Sequence, residues 1–324
     1  MLKFLPPAAA IGLIALPVYA QELTYGTATF EIEALEDKDQ GIDYDIMAFD
    51  GAFEYQINQF VLGGALAGQS IEASIGLSQD LRRIGGFAAY QITPEILVGL
   101  GFDDVETKID NGFGDFTIQD DVVSGFAQYQ NENFGVAVAR RNVKNESFEF
   151  DVTSYFGEVR IGDNFTAGAV VEAYTDSDEQ IYHLSADFVS GPWAARGFYT
   201  SASYLDGGYF GLRGEYTFGS GVAVIAGYDD GSDDLFIGDF SSASIAANYQ
   251  FNDALSAQAT YKLFQLGNDD EVQSLGVTLD YQFGMSKRLD EKMYRAIRDD
   301  LSQSPAVEQP NYGYGMLFSF FGVT

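Results

Sequence analysis

Seven residues near the end of the chain, Val277-Thr-Leu-Asp-Tyr-Gln-Phe283, read as an extended strand with two unlike faces. Side chains of a strand alternate, so Val277, Leu279, Tyr281 and Phe283 share an apolar side and Thr278, Asp280 and Gln282 a polar one. The same ending recurs as Phe53-Glu-Tyr-Gln-Ile57, Phe87-Ala-Ala-Tyr-Gln-Ile92, Phe126-Ala-Gln-Tyr-Gln130, Gly214-Glu-Tyr-Thr-Phe218 and Ala247-Asn-Tyr-Gln-Phe251. The interval is about 30–35 residues, the length of one hairpin. A chain repeating a half-apolar strand and a turn at this interval is all-β, and it must either stack its hairpins or close them into a cylinder.

Sixteen alternating segments follow one another: 22–34, 42–57, 60–69, 80–92, 95–106, 116–130, 134–143, 148–161, 165–175, 180–190, 193–203, 208–218, 222–229, 238–251, 254–266 and 271–283. After even segments the links are two or three residues of Asn, Asp, Gly or Pro, which suit tight hairpins. After odd segments they are longer and polar, as in Glu36–Gly41, Thr107–Gly112, Asp176–Glu179 and Asp229–Asp234. Short turns at one end and polar loops at the other are how an outer-membrane barrel meets the periplasm and the outside. The sequence therefore predicts a transmembrane antiparallel up-and-down β-barrel over 21–283. A soluble propeller also repeats hairpins, but its blades run longer, about 40–50 residues, and need no apolar stripe facing outward.

Composition narrows the function. Hydrophobic residues make up 46% of the chain, with 20 Tyr and 27 Phe. Beyond residue 20 there is no apolar run of the ~20 residues that a membrane helix needs. The absence of Cys removes disulfide frameworks and thiolate metal sites. A net charge of -31 argues against electrostatic binding of nucleic acid. Residues 1–20 read as an export signal: the basic start Met1-Leu-Lys3, the apolar stretch from Phe4 to Leu16, and the small-x-small site Val18-Tyr-Ala20.

Alternation sorts lipid-facing from lumen-facing side chains. In 208–218 the outward set is Phe210, Leu212, Gly214, Tyr216 and Phe218; in 254–266 it is Leu255, Ala257, Ala259, Tyr261 and Leu263. Aromatic rings at strand ends would form a girdle at the membrane interface. The charges sent inward are Arg83, Arg141, Glu172, Asp187, Arg196, Arg213, Glu215, Lys262 and Asp280, with Arg140 the competing choice beside Arg141. These are the candidate pore-lining residues. Set face to face, they would create a transverse field that sorts solutes by charge; set side by side, they would be ion pairs stiffening the wall.

Signal, strand count and a strand ending in Tyr-x-Phe together resemble the Gram-negative outer-membrane porins, of the general-porin type found in alphaproteobacteria. The resemblance covers about residues 21–283. It implies a diffusion channel for small hydrophilic solutes or ions, surrounded by outer-membrane lipids and commonly a homotrimer, with Val277, Leu279, Tyr281 and Phe283 as the signal read by the barrel insertion machinery. The chain departs from the family in two places. The link Thr107–Asp115 is short where porins carry a long loop that narrows the barrel, and the chain continues from 284 to 324 where they usually stop.

That extension changes period. Leu289, Met293, Ala296, Ile297 and Leu301 recur at three and four, which predicts a short amphipathic helix over about 286–301. Five of the 17 basic residues lie there, while 21–283 holds 11 basic against 43 acidic residues. Three placements fit: on the periplasmic or membrane surface, inside the lumen as a plug, or as an insert before one more strand at 312–320. A plugged barrel would be a closed structural or adhesive surface protein, the alternative to an open channel.

No catalytic constellation is written in the chain, and an enzyme is not expected. His183, the single imidazole, shares a strand face with Ser185 and Asp187, at steps of about 7 Å that are too long for a proton relay. No cofactor or metal centre is expected either. The acidic stretch Asp229-Asp-Gly-Ser-Asp-Asp234 offers oxygen ligands for at most a loosely held Ca²⁺ and lacks the spacing of a helical calcium loop.

Overall fold

The computed structural model describes residues 23–283 except the short stretches 39–40, 111, 113, 176–178, 204–207, 234–237 and 267–269. The export signal, the predicted helix at 286–301 and the candidate strand at 312–320 lie outside the described residues.

Sixteen strands are present: β1 (Leu23–Asp37), β2 (Ile42–Ile57), β3 (Phe60–Ala73), β4 (Ser78–Gln91), β5 (Ile96–Asp110), β6 (Asp115–Gln130), β7 (Phe134–Lys144) and β8 (Glu149–Ile161), then β9 (Phe165–Tyr174), β10 (Gln180–Ser190), β11 (Trp193–Ala202), β12 (Gly208–Thr217), β13 (Val222–Asp233), β14 (Gly238–Gln250), β15 (Leu255–Leu266) and β16 (Asp270–Phe283). Each pairs antiparallel with its sequence neighbours, and β1 closes the ring on β16, with Phe30 opposite Leu279 and Ala28 opposite Tyr281. The closed antiparallel barrel expected from the alternation is the observed fold, and closure leaves no strand edge unpaired.

The pleat assigns the faces. Leu100, Leu212, Leu275 and Val277 are 70%, 59%, 62% and 55% exposed on the outside. Inward neighbours such as Val152, Ser154 and Glu172 are buried. This is an inside-out arrangement, greasy outside and polar within, the one suited to an exterior that meets hydrocarbon rather than water. At the turn end the outer face carries aromatic pairs: Phe60–Tyr90 with ring centres 5.1 Å apart, Tyr129–Phe134 at 5.5 Å, Trp193–Tyr216 at 4.6 Å and Tyr249–Phe251 at 4.9 Å. Their polar tips turn to the turns: Tyr90 Oη donates to Gln59 Oε1 at 2.6 Å, and Tyr129 Oη accepts from Asn131 Nδ2 at 3.2 Å. Tyr182, Tyr199, Phe210 and Tyr228, exposed on the outside toward the loop end, line the opposite border of the band.

The short turns are made as their residues dictate. Asn58 takes the left-handed conformation (φ 55°) in the two-residue link from β2 to β3. Asn131 and Asn252 cap theirs with Asx turns, each side-chain oxygen accepting from two backbone amides at 2.8–3.0 Å.

The loop ends differ from the sequence reading. Strands β1, β3, β5 and β13 run to Asp37, Ala73, Asp110 and Asp233, three or four residues beyond the expected ends. Glu36 and Asp37, read as loop, pair with Asp43 and Ile42. Backbone pairing continues where the apolar alternation stops, and the outward positions there turn polar, as at Glu36, Asp45, Glu72 and Lys108. Strand length is also uneven, 14–16 residues in β1 to β6 against 10–11 in β9 to β12. At 3.3 Å per residue and a tilt near 40°, the short strands span roughly the 25 Å apolar band, while the long ones reach roughly 40 Å. One side of the loop-end rim therefore stands well above the other.

Candidate functional site: an ionic belt on the lumen wall

All nine predicted inward charges lie on the inner face, and the structure adds partners that the alternation alone did not name. Arg83 Nε donates to Asp103 Oδ1 at 2.9 Å, both buried. Arg141 Nη2 donates to Glu172 Oε1 at 2.6 Å, reaching over β8, whose fully buried Ser154 donates to the same oxygen at 3.2 Å. Lys262 Nζ lies 3.1 Å from Glu33 Oε1, again across one strand, and Ser274 Oγ between them donates to that oxygen. Arg213 Nη2 reaches Asp229 Oδ1 at 3.4 Å, while Ser242 Oγ donates to Asp229 Oδ2 at 2.9 Å. Each of the last three groups joins a cation, a carboxylate and a serine hydroxyl over three adjacent strands. The hydroxyl fills a lone pair that the cation leaves, which a buried charge requires.

Two glycines make room for these carboxylates. A Cβ on Gly85 would stand 1.9 Å from Asp103 Oδ1, and one on Gly211 would stand 2.4 Å from Asp229 Oδ1. The acids lie across their neighbouring strand at positions where any side chain would displace them.

The remaining predicted residues are less enclosed. Arg196 faces Asp187 directly across β10 and β11, 3.7 Å apart, and its side chain is 47% exposed. Glu215 accepts from Thr217 Oγ1 at 3.3 Å, and Asp280 from Thr29 Oγ1 at 2.9 Å. Arg140, the competitor of Arg141, points outward to Asp151 at 2.7 Å. Every inward cation among the described residues thus has a carboxylate along the wall, Arg160 included, with Glu158 at 2.9 Å. The contacts made are ion pairs around the wall.

Just loopward of the belt the inner face turns apolar. Leu35 follows Glu33 and Phe264 follows Lys262 at the next inward position, while Val272 and Phe240 precede Ser274 and Ser242. With Tyr44, Ile46, Ile71 and Tyr209 they form one buried cluster running from β12 around to β3. Nothing in the local sequence marks it, because an apolar residue at an inward position looks like an error of register until the closed ring puts these residues side by side.

Two further stretches weighed in the sequence are placed by the structure. Asp229 and Asp230 belong to β13 and point to opposite faces, and Asp229 is held by Arg213 and Ser242, so these two carboxylates do not converge on one ion. Among the described residues no group of three or more acidic or imidazole side chains is placed to hold a metal. His183 Nδ1 lies 2.8 Å from Thr200 Oγ1 and its ring stacks on Phe198, while Asp187 is engaged by Arg196; the relay of a hydrolase is not formed.

Of the insertion-signal residues, Val277 and Leu279 are outward and exposed, and Tyr281 is outward and half-buried. Phe283 pairs with Gly26 at the seam.

No family model and no curated relative match this chain. Among solved structures it is similar to Acinetobacter baumannii OccAB4, with a TM-score of 0.55 at 10% identity over 82% of this chain and 98% of that one. It is likewise similar to Pseudomonas aeruginosa OccK7 (OpdD), with a TM-score of 0.54 at 10% identity over 82% and 99%. The outer membrane protein OpdK of Pseudomonas aeruginosa gives a TM-score of 0.51 at 10% identity over 80% and 98%. At this identity the likeness establishes the shared barrel fold.

Proposed function

We propose that the chain is a passive channel of a Gram-negative outer membrane, through which small hydrophilic solutes or ions diffuse. The observation that carries this reading is the inside-out barrel with an ionic belt on its inner wall. Polar and charged groups are gathered where a bilayer-spanning structure can keep them wet, and a lumen lined this way passes water-soluble molecules. The fold shared with an outer membrane protein supports the location. The homotrimer implied by the porin resemblance, and recognition of Val277, Leu279, Tyr281 and Phe283 by the insertion machinery, belong to the same proposal.

The pore-lining role of Arg83, Arg141, Glu172, Asp187, Arg196, Arg213, Glu215, Lys262 and Asp280 divides by burial. The buried pairs brace the wall, and the more exposed Arg196, with Asp187 beside it, Arg213 and Glu215 meet the solute. Because the inward cations carry carboxylate partners, and Glu31 and Asp280 add further acids beside Lys262 and Glu33, the lumen favours cations. Planar-bilayer recording tests the reading: discrete conductance steps are expected from the full-length protein.

One observation favours a second reading. Tyr44, Tyr209 and Val272 on the loop-end inner face are 1%, 1% and 0% exposed, as the wall of a closed barrel would be. Steps that appear only after removal of residues 284–324 would favour a plugged structural protein.

A further inference from the structure

The inner face at the turn end lines a half-open cavity of about 610 Å³, which meets the ionic belt only at Arg160. Small-molecule sites commonly measure about 300–1,000 Å³. Gln91, Leu97, Gln128 and Arg160 line it from the ends of four strands, all at inward positions. The turns around it are stitched together by backbone bonds: Gln91 N to Gln59 O at 2.7 Å, Gln130 N to Glu95 O at 2.9 Å, and Arg160 N to Asn133 O at 2.7 Å. The cavity is therefore built by the closed ring and preformed.

Its chemistry is that of carboxamides over an apolar floor. Val61 and Leu97 belong to a buried cluster with Phe87, Phe126 and Phe156 just loopward. Gln128 is only 8% exposed, yet its Oε1 has no hydrogen-bond partner. Asn133 adds donors and an acceptor at the rim, where the carboxylates of Glu95 and Glu132 also lie as acceptors. The guanidinium of Arg160 is held by Glu158 at 2.9 Å, which offsets the charge an anion would seek. Amides that both donate and accept match hydroxyl groups, which do the same, and the floor suits the C–H face of a ring.

We propose that this cavity binds a neutral, hydroxyl-rich solute of one or two sugar-like rings at the turn-end mouth of the lumen. The proposal rests on the channel reading and names a solute class for it.

Isothermal titration of the full-length protein in detergent tests it, with sucrose as probe and arginine hydrochloride and sodium glutamate as charged controls. Sucrose is expected to bind more tightly than either control. Gln128→Leu should weaken sucrose about tenfold, as loss of one neutral hydrogen bond does. Asn133→Ala, at the exposed rim, should weaken it in the same direction and guards against a folding defect in the first variant. Tighter binding of arginine or glutamate, no binding of sucrose, or two variants that bind like the parent would each overturn the proposal. Bilayer conductance is recorded in parallel: sucrose binding without conductance steps supports the site and sinks the channel, and steps without sucrose binding do the reverse.

Discussion

Arg141 shows how much one charged residue depends on strands it does not belong to. Its guanidinium crosses β8 to Glu172, and both side chains are nearly closed to solvent, at 6% and 5% exposure. Two buried opposite charges gain little over a well-packed apolar pair, but losing one of them strands the other. Arg141→Leu is expected to cost about 3–5 kcal/mol, read as a lower urea midpoint for the barrel folded into vesicles. Arg141→Leu combined with Glu172→Leu should recover most of that loss. A single variant as stable as its parent would mean that water already reaches the pair. The alternation told which way Arg141 and Glu172 point, since period two is a local property. It left out Glu33, Asp103 and Asp229, although Glu33 was legible beside the outward Ile32 by the same rule. That Arg141 and Glu172 touch was not legible, because it depends on register across two strand pairings.

At the scale of the strand, β16 states the membrane rule most plainly. Leu279 is 45% exposed on the lipid side, and its neighbour Thr278 faces inward opposite Glu31. Leu279→Arg should therefore reduce the folding free energy in vesicles by about 2–4 kcal/mol, the cost of a cation on the lipid face near mid-membrane. Thr278→Arg, one residue away, should change it by less than about 1 kcal/mol, since the new cation meets Glu31 in the lumen. Equal effects from the two would show that the faces are misassigned. Strand existence and face were legible because alternation persists over ten or more residues. Loop-end boundaries were not, because hydrogen bonding continues above the hydrocarbon, where composition no longer alternates. Glu36 and Asp37, the start of the apparent loop Glu36–Gly41, are strand for that reason.

For the whole molecule, the question is what a surplus of acids does once most lumen cations are paired. Acidic residues at the mouth steer ions through a screened field that fades within about 8 Å at physiological salt. Residues on the wall act at closer range. Arg196, half-exposed and only loosely engaged by Asp187, is the cation most open to a passing ion. Arg196→Glu is expected to shift the zero-current potential in a KCl gradient toward greater K⁺ preference, with single-channel conductance still measurable. An unchanged potential would place the selectivity elsewhere, at the rim or the buried belt. The rim itself is uneven, with strands of 14–16 residues on one side and 10–11 on the other, which gives the barrel a sloping mouth.

By itself the chain determined that it is all-β, that its strands number sixteen, that their greasy side faces out, and which charges turn inward. Those properties reside in residue spacing, and a strand needs no partner to have two faces. Tertiary structure alone decided which charges meet, that Gly85 and Gly211 open space for Asp103 and Asp229, that an apolar collar lies loopward of the belt, and that the turn-end amides line a cavity. Each of these joins residues on different strands. Their positions along the wall follow from tilt and register, which exist only once β1 has closed on β16.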